Sequence, residues 1–178
     1  MKFTTSTMLS TSALLVTASA AVSTTSTYQL RVSSSKNSAI QDSFLALKDE
    51  NVTSEPNALG VWSTGEPRSP YQFKLTPSTT DARFYQLTGT VKQTQLIIYG
   101  NRVAMGLFDV PIGANPRVGE GEGLFSDKWT FLDLGGSVSL RHAQDFNSSE
   151  TPTGGAGSWR ACKGDSAVDY QLYWYDGK

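Results

Sequence analysis

Short apolar or alternating segments recur along the chain from Tyr28 onward, and residues that favour turns separate them. Runs of this length, rich in aromatic and β-branched residues, are typical of β-strands. No window of about a dozen residues carries an uninterrupted apolar stripe at helical spacing, and the nearest helix candidate is 40–49. Eleven strands are predicted, at 28–32, 44–47, 59–62, 71–75, 84–87, 95–99, 103–108, 129–132, 138–140, 159–162 and 170–174.

Many short strands at this spacing predict an all-β fold, either a single compact antiparallel barrel or a β-sandwich. A weak internal repeat bears on the choice. A strand that runs from an aromatic residue to a leucine is followed, in three places, by a strand with a central alanine. Three such units of roughly fifty residues favour a β-trefoil-like barrel, and the sandwich stays open as the alternative. The paired segments are 28–30 with 45–48, 84–87 with 103–106, and 129–132 with 160–163.

The first residues have the features of a secretory leader. Lys2 precedes a mildly apolar stretch, 8–16, that is too short to span a bilayer, and Ala18-Ser19-Ala20 has the small-x-small pattern of a cleavage site. We therefore expect residues 1–20 to be a cleaved signal peptide. The Ser/Thr-rich stretch 21–27 is expected to be a disordered linker. Residues 28–178 are expected to form one β domain.

Two glycosylation sequons, at Asn51 and Asn147, agree with a secretory route because each lies in a polar segment predicted to be a loop. The last residues carry neither a retention signal nor an apolar tail that a lipid anchor requires, so no membrane anchor is expected. We expect a secreted protein, located outside the cell or in the cell wall.

Charge and cysteine content narrow the class of protein further. The chain has 15 basic and 16 acidic residues, scattered rather than grouped, so nucleic acid is not an expected partner. Cys162 is the single cysteine, which excludes an intrachain disulfide. We expect its thiol to be buried in a strand, with pairing between chains or a reactive thiol as alternatives.

Three segments, taken together, resemble a known group of proteins. They are LIIYGNRVA at 96–104, WTFLDLGG at 129–136, and WRAC at 159–162 leading to YQLYW at 170–174. The chain resembles the small secreted proteins of filamentous ascomycetes that include the PhiA-like cell-wall proteins. The resemblance implies a fungal extracellular or cell-wall protein of β structure, and it implies no particular biochemical activity.

A search for catalytic chemistry finds little. His142 is the single histidine, which excludes a two-histidine metal site, and we expect it at a strand end on the surface. No Gly-x-Ser-x-Gly motif is present. Glu120 and Glu122 are the most suggestive carboxylate pair for a glycosidase, but they lie in a glycine-rich segment, 119–123, that is predicted to be a solvated loop. We expect a protein that is not an enzyme and that uses no metal or cofactor.

Carbohydrate binding is the most specific function that the residues support, because sugar rings stack on exposed aromatic side chains while polar side chains take their hydroxyls. Aromatic residues in strands are mostly core, so we expect at least three of the five aromatic candidates to be buried. The main expectation is a non-enzymatic secreted fungal protein, and the alternatives are a lectin-like module for cell-wall polysaccharide and an effector acting on a host. The candidate ligand-binding residues are Trp62, Tyr71, Tyr99, Asn101, Trp159, Tyr175 and Asp176.

Overall fold

The structure is a computed structural model that describes residues 23–33, 37–50, 56–101, 104–114, 116–133, 138–142, 158–164 and 166–175. These ranges contain strands and turns, and none of them holds a helix that could cross a membrane. The strands are β1 (Thr27–Gln29), β2 (Ala46–Leu47), β3 (Asn57–Val61), β4 (Gln72–Pro77), β5 (Tyr85–Gly89), β6 (Thr94–Asn101), β7 (Ala104–Pro111), β8 (Glu122–Phe125), β9 (Trp129–Asp133), β10 (Val138–His142), β11 (Ser158–Lys163) and β12 (Tyr170–Tyr175).

The burial of side chains follows the period of two that strands impose. In β4, Phe73 and Leu75 are buried while the residues between and beside them are exposed. In β12, every second residue from the first tyrosine is buried. Strand β6 differs, because Leu96, Ile97 and Ile98 are all fully buried. A strand buried on both faces lies inside the molecule, so β6 is a central strand.

All strand pairings are antiparallel and join the strands into one sheet with the order β1-β4-β5-β6-β7-β12-β3-β2. The remaining strands pair at its sides: β8 with β6, β9 with β5, β10 with β9 and β11 with β12. Strands β6 and β7 form the longest hairpin, from Thr94 opposite Pro111 to Gly100 opposite Met105. The predicted all-β class is confirmed. Strand β3 also pairs with β7, and among the described residues the end strands β1 and β2 are not paired with each other, so the trefoil-like barrel is not confirmed.

Two sequence predictions differ from the observed elements. Glu122 and Gly123 belong to strand β8, although their glycine-rich surroundings predicted a loop. The helix candidate 40–49 consists of turns followed by β2. The linker predicted to be disordered lies partly in the described ranges, where a turn precedes Thr27, the first residue of β1.

One contiguous hydrophobic core collects side chains from both ends of the sheet. Three of the four tryptophans belong to it. The ring of Trp159 stacks on that of Trp129 with a centroid distance of 6.2 Å and meets that of Trp174 edge-on at 5.1 Å. Trp159 also donates its indole N–H to the carbonyl oxygen of Leu140 at 2.8 Å. Because these rings pack on one another, they are not available as a flat ligand platform.

His142 lies at a strand end as expected, but it is not on the surface. It ends β10 and is 1% exposed, because its ring packs against Trp129 at 5.0 Å and Phe125 at 5.7 Å between centroids. Its Nε2 lies 2.8 Å from the carbonyl oxygen of Asp127, so Nε2 carries the proton and donates. Burial lowers the pKa of His142 to about 3, and the ring is neutral at physiological pH.

Candidate functional site

The loop that joins β3 to β4 contributes to the lining of two clefts. The first, the Trp62 cleft, has a volume of about 580 Å³ and is lined by Lys48, Trp62, Thr64, Lys163, Gly164, Ser166, Asp169, Gln171 and Tyr173. The second, the Asp109 cleft, has a volume of about 330 Å³ and is lined by Leu47, Glu50, Ser69, Pro70, Tyr71, Gln72, Gly89, Thr90, Val91, Lys92, Thr94 and Asp109. The loop 62–71 contributes residues to both clefts and forms part of the wall of each.

Asp169 holds the first part of this wall. Its carboxylate accepts hydrogen bonds from the backbone N–H groups of Ser63 at 2.7 Å and Thr64 at 3.1 Å, and from the hydroxyl of Thr64. The Thr64 hydroxyl is the largest cause that lowers the pKa of Asp169, and the two backbone N–H groups act in the same direction. The carboxylate is therefore engaged in shaping the loop.

Arg68 and Glu50 hold the second part of the wall. Arg68 donates from Nε to the carbonyl oxygen of Lys48 at 3.0 Å and from Nη1 to that of Thr64 at 2.9 Å. The carboxylate of Glu50 accepts a hydrogen bond from the backbone N–H of Ser69 at 2.9 Å. Because side chains fix the loop at several points, the two clefts have a common and well-defined wall.

Trp62 is fixed in its cleft by a hydrogen bond and by a glycine. Its indole N–H donates to the carbonyl oxygen of Ala46 at 2.9 Å, and the side chain remains partly exposed. A Cβ atom at Gly60 would lie 2.7 Å from ring atom Cζ2 of Trp62 and 2.3 Å from the carbonyl oxygen of Tyr170. The ring therefore rests against bare backbone, and a side chain at position 60 would displace it.

Polar groups surround this ring. Gln171 and Tyr173, which alternate along β12, are partly exposed, while Lys48 and Lys163 are exposed. Together they offer amide, hydroxyl and ammonium groups to a ligand next to an aromatic ring. This combination suits a ligand with an apolar face and many hydroxyl groups.

The floor of the Asp109 cleft is a buried hydrogen-bonded group. Tyr71 donates its hydroxyl to Oδ1 of Asp109 at 2.6 Å, and the side chain of Thr94 lowers the pKa of the same carboxyl group. All three residues are buried, with Asp109 6% exposed. Burial raises the pKa of Asp109, and the hydrogen bonds from Tyr71 and Thr94 reduce that increase. Burial and the neighbouring carboxylate also raise the pKa of Tyr71, so its phenol keeps its proton.

Comparison with known proteins finds no match to this chain among protein-family models, curated proteins or solved structures. The clefts are therefore interpreted from their own residues and contacts.

Two of the predicted ligand-binding residues line clefts, and they line different ones: Trp62 the first and Tyr71 the second. Tyr71 is buried, whereas the other four aromatic candidates are partly exposed, so the expectation that at least three of the five would be buried is not met.

Among the remaining candidates, Trp159 contributes to the core. Asn101 accepts a hydrogen bond from the backbone N–H of Ala104 at 2.9 Å. Asp176 and the sequon residues Asn51 and Asn147 lie outside the described residues.

Tyr99 and Glu122 close a turn on the surface. The hydroxyl of Tyr99 lies 2.8 Å from Oε2 of Glu122, and the backbone N–H of Gly119 donates to the same oxygen at 2.7 Å. The bond from Gly119 is the largest cause that lowers the pKa of Glu122. Glu122 is thus engaged in its own turn, and Glu120 is exposed beside it.

Cys162 lies in β11, as expected, but its thiol is only partly buried. Its Sγ is 3.9 Å from the hydroxyl of Tyr175, whose ring lies 4.3 Å below the guanidinium of Arg160. Within the described residues, no group of three histidine, cysteine or acidic side chains is placed to hold a metal ion.

Sequence reasoning missed Asp109, the residue on which the second cleft depends. One signal was available: an acidic residue stands between Phe108 and Val110 in an otherwise apolar run. The predicted strand ended at Phe108, which left Asp109 outside it, whereas β7 continues to Pro111. A charged residue within a buried strand is expensive to place there, so it is a candidate for a functional role.

Proposed function

We propose that this chain is a secreted, non-enzymatic protein of the fungal cell wall or the surrounding medium, and that the Trp62 cleft binds wall polysaccharide. The observation that carries the proposal is the ring of Trp62, which is partly exposed in an open polar cleft and held in one orientation by Ala46 and Gly60.

A fixed aromatic ring favours carbohydrate binding because little conformational entropy is lost when a sugar stacks on it. The apolar face of a pyranose ring covers the indole, and the side chains of Gln171, Lys48 and Lys163 are near enough to line the same space and bond its hydroxyls. The cleft is open rather than enclosed. A site that binds one sugar unit of a long polymer must be open, because the polymer continues on both sides of that unit.

The leader features of residues 1–20, the two sequons and the resemblance to PhiA-like proteins support placement outside the cell. A secreted protein of a fungus meets wall polysaccharides at high concentration, so modest affinity per site is sufficient. An effector that acts on a host is the second alternative, and the same secretory features support it.

We further propose that the sheet is rolled so that its two end strands, β1 and β2, approach each other, as in a barrel. The support is an isolated antiparallel bridge between Arg31 and Phe44, which connects the segments next to these strands. The backbone N–H of Leu45 also donates to the carbonyl oxygen of Leu30 at 2.8 Å.

The test is a pull-down of the purified full chain with insoluble chitin, β-glucan and mannan, followed by binding isotherms for any polymer that retains it. We expect Trp62→Ala to lower the affinity about tenfold or more, because the stacking surface is lost. Gln171→Ala is expected to lower it less, because one polar contact in an open cleft is replaced by water.

Tyr99→Ala is the matched control, since Tyr99 is a partly exposed aromatic candidate that lines neither cleft. It should bind as the unmodified chain does. Failure of all three polymers to retain the protein, or equal loss of binding in the Tyr99 and Trp62 variants, would contradict the proposal.

A further inference from the structure

The carboxyl group of Asp109 is buried without an ionic partner. The ion pairs among the described residues join Arg31 to Asp42 and Arg83 to Asp81, so none of them includes Asp109. The hydroxyl of Tyr71 donates to it, the hydroxyl of Thr94 lowers its pKa, and neutral hydroxyls do not balance a charge. A buried carboxylate is normally paired with a cation, because burial removes the water that would otherwise stabilise it.

Lys92 lines the same cleft, and its positive charge lowers the pKa of Asp109 against the effect of burial. Its ammonium group, however, donates to the backbone oxygen of Glu50 at 3.1 Å. The side chain of Glu50 adds a second carboxyl group at the rim of the cleft. The lining therefore contains two acidic side chains and one basic side chain, and it favours a ligand with one positive charge.

The walls above this floor are largely apolar. Leu47, Pro70 and Val91 line the cleft, and Val91 is 86% exposed although it is a large aliphatic residue. The volume of about 330 Å³ is at the lower end of the range for small-molecule sites, which is about 300–1,000 Å³. The space suits a short hydrocarbon or aromatic group, and it is too small for a folded partner.

We propose that the Asp109 cleft binds a small protonated primary amine that carries a short apolar body. The ammonium group donates to the carboxylate of Asp109 and to the hydroxyl oxygens of Tyr71 and Thr94, which still have lone pairs to accept with. The apolar body lies against Leu47, Pro70 and Val91. This binding is independent of the polysaccharide site, because the two clefts are lined by different residues.

Gly89 allows the two hydroxyl groups of this cleft to pack closely against the backbone. A Cβ atom at this position would lie 2.3 Å from the hydroxyl oxygen of Thr94 and 2.9 Å from that of Tyr71. A side chain there would therefore occupy the space next to both hydroxyl groups. Without a side chain at position 89, both hydroxyl groups pack directly against the backbone and keep their positions beside Asp109.

The test is a calorimetric titration of the full chain at pH 7 with pentylamine and, as the matched neutral ligand, pentan-1-ol. The two molecules have the same hydrocarbon chain, so the difference between them isolates the ammonium group. We expect the amine to bind about tenfold tighter than the alcohol, since a charge-assisted hydrogen bond to a buried carboxylate is formed by the amine alone.

Two variants sharpen this comparison. Asp109→Asn keeps the size of the side chain and an acceptor for Tyr71, and it should remove the preference for the amine while leaving alcohol binding unchanged. Lys92→Gln removes the competing cation and should increase the affinity for the amine about threefold. The Lys92 variant decides the matter if Asp109→Asn fails to fold.

Equal affinity for the amine and the alcohol would overturn the proposal, as would absence of binding by either at millimolar concentration. Unchanged amine affinity in Asp109→Asn would overturn it too. Because Asp109 lies outside the Trp62 cleft, Asp109→Asn should still bind polysaccharide. Loss of amine binding and loss of polysaccharide binding are therefore separate results.

Discussion

Two buried titratable side chains, His142 and Asp109, occupy different surroundings. His142 is enclosed by the rings of Trp129 and Phe125 and donates to a backbone carbonyl, and neither cleft reaches it. Asp109 is buried to a similar degree but forms the floor of a cleft. A buried titratable side chain that is enclosed on all sides therefore indicates packing, whereas one that lines a cleft is a candidate for a binding site.

The two groups also affect stability with opposite dependence on pH. Burial lowers the pKa of His142 in the folded protein. The contribution of the neutral ring to the free energy of unfolding is therefore complete above pH 6.5, the pKa of histidine in the unfolded chain, and is lost as the pH falls towards 3. Burial raises the pKa of Asp109 in the folded protein. The contribution of Asp109 to the free energy of unfolding is therefore present below a pH of about 3.8, the pKa of aspartate in the unfolded chain, and is lost as the pH rises through the pKa of the folded protein. The acid stability of the protein combines these two opposing effects.

The largest predicted effect is the loss of stability that His142 causes in acid. Between pH 7 and pH 3 the free energy of unfolding should fall by on the order of 4 kcal/mol on account of this residue, because the unfolded chain binds a proton that the buried ring does not. His142→Gln does not titrate and retains an N–H donor for Asp127. Urea unfolding from pH 3 to pH 7 should give a flatter profile for this variant than for the unmodified chain.

Carboxyl groups elsewhere titrate equally in both proteins, so the difference between the two profiles isolates His142. Parallel profiles would contradict this prediction, because they would show that folding does not lower the pKa of His142.

The next effect concerns the phenol of Tyr71. Tyr71→Phe removes the hydroxyl that donates to Asp109 and leaves the buried ring in place. At pH 7 we expect the free energy of unfolding to fall by about 2 kcal/mol, the usual contribution of a buried hydrogen bond to a charged group. At pH 4 the loss should be smaller, because the raised pKa of Asp109 favours its neutral form there, which depends less on the donor.

Equilibrium unfolding of both proteins at the two pH values checks this expectation. A loss that is larger at pH 4 than at pH 7 would contradict it, and would show that Tyr71 stabilises the protonated form of Asp109.

Much of the sheet follows directly from local patterns. The eleven predicted segments correspond to eleven of the observed strands because alternation, as in Phe73 and Leu75 of β4, reflects which face meets the core. Strand β8 was missed because its pairing with β6 is a tertiary effect: Gly123 lies opposite Gly100, and glycines give no strand signal. Local sequence does not record which distant strand is available as a partner.

The candidate sites were harder to predict, for a related reason. Trp62 and Trp159 have similar local sequence contexts as tryptophans in or next to apolar segments, yet one lines a cleft and the other stacks on Trp129. The difference depends on neighbours that are distant in sequence, Ala46 for the first and Leu140 for the second. The floor around Asp109 likewise joins residues 71, 94 and 109, which only the folded chain brings together.

The smallest effect on stability is predicted for Gly89→Ala, which fills the floor of the Asp109 cleft. The added methyl group meets the hydroxyl oxygens of Thr94 and Tyr71, which must shift slightly to admit it, so the free energy of unfolding should fall by about 1 kcal/mol, the lower end of the usual cost of overpacking. Amine binding should nevertheless be lost, because the moved hydroxyls and the methyl group occupy the ligand's position. Gly164→Ala in the Trp62 cleft is the matched control, since its nearest contact is 3.9 Å away, and it should change neither property. If Gly89→Ala instead bound the amine with full affinity, the opening above Asp109 would have no role in binding, and Asp109 would resemble His142 as a group buried by packing alone.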